Sequence, residues 1–145
     1  MPLLPRDEAL AFNAQVIEEF RTNDGRVGGI LAGSVVILVH HRGIHTGIER
    51  VTPLSCFSLG DDRRYVVVGS NGDSPVQPAW CANLRAMSST TVELGTQAFP
   101  VSVDYLDDAA RAQVWSQLFP GSAGPDDFQA RTGRRLPVFL LTRTD

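Results

Sequence analysis

A polar stretch at residues 40–54, HHRGIHTGIERVTPL, combines residue types that suit the binding of a multiply charged anion. Arg42 and Arg50 each offer a planar fork of donors that matches phosphate and carboxylate oxygens. Gly43 and Gly47 let the backbone approach a ligand closely. Because basic turns between strands are often simply solvated, the stretch alone leaves an anion site and a solvated turn both open.

The three histidines of this stretch raise the question of a metal site. His40 and His41 are adjacent, so in a strand their side chains point to opposite faces. We find no carboxylate or cysteine at a spacing that would complete a ligand set with them. The sequence therefore predicts no metal site, and we interpret His45 as a further contact for an anion.

The composition narrows the class of protein. The chain has 145 residues, enough for a hydrophobic core, and we expect a single domain over residues 1–145. The net charge of -3 disfavours nucleic acid as a partner. No apolar run approaches the length of a membrane span, and the first residues lack the pattern of a secretory signal. We therefore expect no integral membrane segment and a cytoplasmic protein.

The reactive and charged side chains limit the available chemistry. All 13 basic residues are arginine, so the chain has no amine for a Schiff base. Cys56 and Cys81 show no metal spacing and are interpreted as free thiols, with Cys81 structural rather than nucleophilic. Arg134 and Arg135 are interpreted as a solvated turn, with contact to an acidic ligand tail as the alternative.

Hydrophobic periodicity predicts many short strands and a few helices. Leu10, Val16 and Phe20 recur at helical spacing and predict a first helix at residues 7–22. Further helices are predicted at residues 77–87, 107–119 and 126–132. Strands are predicted at residues 34–41, 45–51, 54–59, 64–69, 90–94, 98–105 and 136–142. Mostly antiparallel strands in this number predict a small closed barrel with helices packed outside it.

Five segments of the chain occur in the order and spacing of a known family. They are NAQVIEEFRTNDGRVGG (13–29), HHRGIHTGIERVTPL (40–54), RYVVVGSNG (64–72), PAWCANL (78–84) and FQARTGRRLPVFLLTR (128–143). Through these segments the chain resembles the deazaflavin-dependent nitroreductase family, small split-barrel proteins that bind coenzyme F420.

The resemblance implies a fold and a cofactor. The fold would be mainly β (α+β), a split β-barrel of the FMN-binding type with an N-terminal helix and two or three peripheral helices. The cofactor would be coenzyme F420, a deazaflavin with a flat tricyclic ring and a phosphate-bearing tail that ends in glutamates, and FMN would be less suitable. The protein would act as a monomer or homodimer on a small hydrophobic substrate.

The resemblance also implies roles for particular residues. Ser70 and His45 are candidates for delivering a proton in catalysis, beside water. For two residues that the resemblance assigns to the cofactor, a structural role explains the residue equally well: Trp80 as a core residue, and Asn83 as a partner of the local backbone. The cofactor-binding candidates are Arg42, His45, Arg50, Thr52, Pro53, Leu54, Gly69, Ser70, Asn71, Gly72, Pro78, Trp80 and Asn83. The substrate-binding candidates are Phe57, Phe119 and Phe128.

The leading hypothesis is an oxidoreductase that transfers a hydride from reduced F420 to an enone, a quinone or a polycyclic natural-product intermediate. Ile44, His45 and Asp73 stand where the family usually carries cations or glycine, and residues 119–128 contain no tyrosine. These departures disfavour nitro reduction. They keep two alternatives open: a cofactor-independent isomerase or cyclase in biosynthesis, and a non-catalytic carrier of a flavin-like or haem-like ligand.

Overall fold

The computed structural model describes residues 6–31, 33–71, 75–122 and 124–145. Gly72 and Asp73, which the sequence analysis singled out, lie outside these residues. The helices are α1 (Arg6–Thr22), α2 (Ala79–Arg85), α3 (Asp108–Leu118) and α4 (Pro125–Thr132), with a short 3-10 turn at Gly29–Leu31. The strands are β1 (Val36–Arg42), β2 (Glu49–Ser55), β3 (Phe57–Ser58), β4 (Arg64–Val68), β5 (Ser89–Leu94), β6 (Gln97–Tyr105) and β7 (Val138–Arg143).

The strands form one antiparallel sheet in the order β2-β1-β5-β6-β7-β4-β3. Its two edge strands, β2 and β3, are separated along the chain by Cys56 alone. Because one residue spans less than 4 Å, the sheet must curl until its edges meet. The N–H of Cys56 donates to the carbonyl oxygen of Val35 at 2.9 Å and holds this bend against the start of β1.

Alternating side chains give the curled sheet an apolar inner face and an apolar outer face. On β1, Ile37 and Val39 belong to the inner core, whereas Val36 and Leu38 pack outside against α1 residues such as Phe20. The continuous apolar runs of β1 and β4 follow from this double burial, because strands covered on both faces need apolar residues at every position.

The helices cover different parts of the sheet. Trp80, Cys81 and Leu84 of α2 belong to the inner core, so α2 closes part of the curl from within. Phe128 of α4 joins Val66 and Val138 in a second core, and residues of α3 pack against it. No helix within the described ranges is long and apolar enough to cross a membrane.

The sequence predicted this arrangement closely, with one error in the strands. Residues 45–51 and 54–59 were predicted as two strands, with Thr52 and Pro53 between them. Instead Glu49–Ser55 is one strand that pairs with β1 through Pro53, which lies opposite Leu38. Proline is tolerated there because β2 is an edge strand, whose second side needs no donor for a ladder.

Candidate functional site

A cavity of about 980 Å³ opens along the inner face of β2, between the end of β4, α2 and the α3–α4 region. This volume is near the upper end of the range of roughly 300–1,000 Å³ that small-molecule and cofactor sites occupy. It is lined by Leu10, Asn13, His41, Arg50, Thr52, Pro53, Leu54, Ser55, Phe57, Val68, Ser70, Asn71, Val76, Gln77, Pro78, Ala79, Trp80, Asn83, Trp115, Phe119, Gly124, Asp127, Phe128, Arg131 and Leu136.

The start of β2 supplies a polar end of the cavity, formed by His41, Arg50, Thr52 and Asn83. His41 lies directly opposite Arg50 in the β1–β2 ladder, and Thr52 is two residues further along the same face of β2. Arg50 is exposed, so its guanidinium can meet an anion at the mouth of the cavity. This end therefore offers one cation and several hydrogen-bonding groups.

Hydrogen bonds fix His41, which is 3% exposed, within the polar end. Its Nε2 lies 2.8 Å from Thr52 Oγ1, and its Nδ1 lies 3.1 Å from Asn83 Nδ2. Asn83 Oδ1 in turn accepts a 3.0 Å hydrogen bond from the N–H of Ile44. Burial, together with the charges of Arg50 and His40, lowers the pKa of His41 to about 4, so the imidazole is neutral at pH 7.

The segment after β4 brings Ser70 and Asn71, which directly follow Gly69, to the cavity lining. A Cβ added at Gly69 would lie 2.5 Å from Cys81 Sγ, so only glycine lets the strand pass α2 this closely. Asn71 adopts a left-handed conformation with φ of 46°, and its Nδ2 donates to the carbonyl oxygen of Val76 at 2.7 Å. These contacts place the Ser70 side chain on the cavity lining.

The opposite part of the lining is an aromatic end formed by Phe57, Trp115, Phe119 and Phe128. The Phe57 and Phe119 rings meet edge to face at a centroid distance of 5.0 Å, and Trp115 lies 4.9 Å from Phe119. A strand rises about 3.3 Å per residue. The five steps along β2 from Arg50 to Ser55 therefore carry the lining roughly 17 Å from the polar end toward the aromatic end. A flat ligand therefore has room to contact both.

Trp80 is a core residue that also lines the cavity, and its contact with the cofactor stays a prediction. Its ring packs on Phe139 of the inner core at a centroid distance of 5.6 Å, and it also lines the cavity. Asn83 bonds the N–H of Ile44, which is distant in sequence rather than local, and it also lines the cavity. The structure thus makes the core and the cavity lining share these two side chains.

The structure places most of the predicted site residues on the cavity lining and a few of them elsewhere. Those on the cavity lining are Arg50, Thr52, Pro53, Leu54, Phe57, Ser70, Asn71, Pro78, Trp80, Asn83, Phe119 and Phe128. Gly69 lies just behind the lining, packed on Cys81. Arg42 lines a second concavity of about 500 Å³ that also includes Glu49 and Thr90. His45 is exposed in the β1–β2 turn, so binding by Arg42 and His45 stays a prediction.

Sequence reasoning missed His41 as a site residue. The signal was available, because His41 continues the inward alternation of Ile37 and Val39 along β1. It also missed Trp115, Asp127 and Arg131, which reach the cavity only through the packing of α3 and α4. Nothing in the local sequence of these helices marks that placement.

The interpretation of Arg134 and Arg135 as a solvated turn is wrong. Arg134 donates to the carbonyl oxygens of Gly69 and Ser70 at 3.1 and 3.0 Å, and its guanidinium lies 4.9 Å from the centre of the Phe128 ring. Arg135 donates to the carbonyl oxygen of Leu106 at 2.9 Å. Both arginines are recruited by backbone carbonyls that are distant in sequence, which a local pattern cannot reveal.

The two cysteines are buried free thiols, as predicted. Burial raises the pKa of both Cys56 and Cys81 to about 12, so both are protonated at neutral pH. Within the described residues, no group of three or more His, Cys, Asp and Glu side chains is arranged to hold a metal.

A known family matches this chain over residues 13–143, and its description is F420H(2)-dependent quinone reductase. The chain belongs to this family. It is 31% identical over 128 residues to F420H(2)-dependent quinone reductase Rv1261c of Mycobacterium tuberculosis, which covers 86% of this chain and 85% of the relative. It is 29% identical over 105 residues to putative F420H(2)-dependent quinone reductase Rv3178 of the same species, over 72% of this chain and 87% of the relative.

Solved structures agree with the fold. A structure described as an F420-H2 dependent reductase (FDR-A) superposes with a TM-score of 0.56 at 25% identity, over 73% of this chain and 92% of that chain. A second, described as a domain-swapped dimer, superposes with a TM-score of 0.60 at 24% identity, over 94% and 99%. The predicted split-barrel fold and the predicted resemblance are thereby confirmed. The protein is an F420-dependent reductase, and its cofactor is coenzyme F420.

The donor set of the cavity fits this cofactor. Its flat ring requires an apolar surface, which Pro53, Leu54 and Trp80 provide. Its phosphate and glutamates require a cation, which Arg50 provides at the mouth. Ser70 and Asn71, whose side chains carry a hydroxyl and an amide, belong to the same lining.

Proposed function

We propose that this protein transfers a hydride from reduced F420 to a flat hydrophobic quinone, and that activated enones are its second substrate class. The observation that carries the proposal is one cavity whose polar end carries Arg50 and whose aromatic end contains Phe57 and Phe119. The names of the relatives, which describe quinone reductases, support the same substrate class. When bound, the reduced deazaflavin supplies the two electrons as a hydride.

Charge determines how the cofactor lies in this proposal. Arg50 at the polar end attracts the phosphate and glutamates of the tail. Beside the aromatic end, Asp127 is paired with Arg131 at 3.0 Å, so this pair adds no net positive charge that would attract an anionic tail there. The ring then lies along Thr52, Pro53 and Leu54, with the tail near Arg50.

The aromatic end receives the substrate. The edge-to-face contact of Phe57 with Phe119 leaves ring surfaces against which a flat quinone can stack. Burial of the quinone between these rings and the cofactor excludes water from the reacting atoms. We expect Phe128, which is itself held by the Arg134 guanidinium, to form the back of this position.

Hydride transfer to one end of a quinone leaves a hydroquinone anion, which needs one proton to complete the reduction. Ser70 lies on the cavity lining and is the side chain that we propose for passing this proton from water. His41 does not act as the acid, because its imidazole is already neutral at pH 7. His45 is exposed in the turn and does not line the cavity, so Ser70 and water are preferred to it.

An anaerobic assay with reduced F420 and menadione tests the proposal, with the return of oxidised cofactor followed by its fluorescence. We expect turnover that requires both reactants, and a KM for menadione that rises about tenfold in Phe119→Ala. Leu118→Ala is the matched control, since Leu118 packs on the neighbouring core and does not line the cavity. Conversion of an enone or quinone without F420, or ligand binding without any turnover, would instead support the isomerase or carrier alternatives.

We propose a single domain over residues 1–145 that acts as a monomer or homodimer, does not bind nucleic acid and works in the cytoplasm. Light scattering on the purified protein, with and without F420, tests the assembly state.

A further inference from the structure

We propose that His41 is a positioning residue that makes the Thr52 hydroxyl a hydrogen-bond donor directed into the cavity, toward a carbonyl oxygen of the bound ligand. The inference concerns the hydrogen-bond chain that runs from Asn83 through His41 to Thr52, called here the Asn83–His41–Thr52 chain. Only the identity of the ligand rests on the proposed function; the direction of the hydrogen bonds stands on contacts within the protein.

The first step fixes the amide of Asn83. The N–H of Ile44 can only donate, and it lies 3.0 Å from Asn83 Oδ1. The oxygen of the amide must therefore face Ile44, and the NH₂ group must face the other way. That group lies 3.1 Å from His41 Nδ1.

The second step fixes the tautomer of His41. Because Asn83 Nδ2 is a donor, His41 Nδ1 must accept and therefore carries no proton. A proton on Nδ1 would set two donors against each other in a buried site, where an unmade hydrogen bond is costly. The imidazole is thus neutral with its proton on Nε2, which agrees with the direction in which burial moves its pKa.

The third step fixes Thr52. His41 Nε2–H donates to Thr52 Oγ1 at 2.8 Å, so the hydroxyl oxygen accepts and its own proton must turn elsewhere. Thr52 lines the cavity, and the described residues place no other hydrogen-bond partner on its hydroxyl. The hydroxyl proton of Thr52 can then point into the cavity and donate to a ligand there.

The Thr52 hydroxyl, held in this way as a donor, favours a ligand that has a hydrogen-bond acceptor at this position. A carbonyl oxygen beside Thr52 gains a hydrogen bond from the free hydroxyl proton, whereas an N–H at the same place could use only the second lone pair of the hydroxyl oxygen. Carbonyl oxygens occur on flat flavin-like rings and on quinones. The proposed function places both kinds of molecule in this cavity. The affinity for oxidised F420 and the KM for menadione distinguish these two sources.

The first arm of the experiment uses the protein without ligand. The chain has three histidines, His40, His41 and His45, so ¹⁵N NMR of the imidazole nitrogens can be assigned with His41→Gln. We expect His41 to show the neutral form with the proton on Nε2 at pH 7. A proton on Nδ1, or a doubly protonated ring, would overturn the inference whether or not any ligand binds.

The second arm measures ligand binding by Thr52→Val, which keeps the shape and removes the hydroxyl, and by Thr52→Ser, which keeps the donor. Loss of one neutral hydrogen bond predicts affinity for F420, or a KM for menadione, about 3- to 10-fold weaker in Thr52→Val and restored in Thr52→Ser. Equal values in the wild type and Thr52→Val for both ligands would overturn the inference. If the wild type binds neither ligand, the proposed function fails, and the tautomer measurement still decides the present inference.

The third arm tests whether His41 acts through Thr52. His41→Leu removes the donor to Thr52, and its effect on ligand affinity should disappear in a Thr52→Val background. An effect of His41→Leu that is unchanged in that background would mean a merely structural role and would overturn the inference. If His41→Leu does not fold, because it leaves the Asn83 amide without its partner, the NMR and the Thr52 variants are sufficient to decide.

Discussion

Arg134 donates a 3.0 Å hydrogen bond to the carbonyl oxygen of Ser70, and its other terminal nitrogen donates to Gly69 at 3.1 Å. One side chain beyond α4 thus holds the backbone that carries a proposed catalytic residue. Because Arg134 also lies over the Phe128 ring at 4.9 Å, it links this backbone to the aromatic end of the cavity. Removing the guanidinium should therefore affect both ligand positions.

We expect Arg134→Leu to lower the free energy of unfolding by about 1.5–3 kcal/mol, the range for hydrogen bonds with a charged partner. We also expect weaker binding of F420 and a lower turnover number with menadione, because Ser70 loses its fixed position. Arg63→Leu is the matched control, since Arg63 also donates to two carbonyl oxygens, those of Arg143 and Asp145, away from the cavity. Equal losses of ligand affinity in the two variants would contradict the role of Arg134.

Gly69 tests the close approach between β4 and α2. A Cβ at this position would lie 2.5 Å from Cys81 Sγ and 3.2 Å from Pro137 Cγ, so Gly69→Ala should destabilise the protein by about 1–3 kcal/mol. Cys81→Ala removes the sulfur and should relieve much of this steric clash. In a double-mutant cycle measured by denaturant unfolding, Gly69→Ala should cost less in a Cys81→Ala background, and purely additive effects would show that the two sites are independent.

Arg50 and Arg42 test which cation of the β1–β2 hairpin meets the cofactor tail. Arg50 lines the cavity and Arg42 does not, so Arg50→Ala should weaken F420 binding about tenfold or more, and Arg42→Ala should have little effect. Added salt should reduce the difference between the wild type and Arg50→Ala, because Arg50 is exposed. A larger effect at Arg42 would place the tail over the second concavity instead. Ser70→Ala should also weaken binding, and unchanged affinity in both Arg50→Ala and Ser70→Ala would contradict the site assignment.

His40 gives the fold a dependence on pH. Its ring nitrogens lie 2.9 Å from Glu49 Oε1 and 2.8 Å from Glu93 Oε2, and Arg21 binds Glu93 as well. Burial, the largest single influence, lowers the pKa of His40, but the hydrogen bonds and charges of the two glutamates together raise it above 6.5. The imidazolium therefore ties β1 to β2 and β5 while it is charged.

The sign of this effect follows from the raised pKa. The stabilisation by His40 is fully present below pH 6.5 and is lost as the pH rises through the higher pKa of the folded state. The partner glutamates have lowered pKa values, so they remain charged down to below pH 4.5. Thermal unfolding of the wild type and His40→Gln should therefore differ most between about pH 4.5 and 6.5 and converge in alkali. A difference that is independent of pH would contradict this assignment.

The sequence predicted those elements whose determinants are local. The helical spacing of Leu10, Val16 and Phe20 predicted a helix at residues 7–22, and the structure has Arg6–Thr22. Asp107 was predicted to begin the third helix, and it is the N-cap of α3, where its side chain accepts from the N–H of Ala110. The predicted strands at residues 90–94 and 98–105 implied a turn between them, and Gly95 lies there, between β5 and β6, with φ of 59°.

Features set by distant contacts were not predicted. Whether Pro53 interrupts a strand depends on whether that strand is at an edge, and the strand order is a property of the whole sheet. Arg134 and Arg135 meet backbone carbonyls that lie tens of residues away along the chain, so no local pattern marks them as fixed. Resemblance to the family supplied candidates such as Asn71 and Pro78, which the physical reading of the sequence could not have placed at one cavity.

The edge position of β2 has a consequence for self-association. An unpaired strand edge is a template on which a strand of another molecule can add, and this is a common route to aggregation. Pro53, in the middle of this edge, has no N–H to donate to an incoming strand, and the bend at Cys56 ends the edge two residues after Leu54. Pro53 therefore leaves this edge one donor short for an incoming strand, at a position that also lines the cavity.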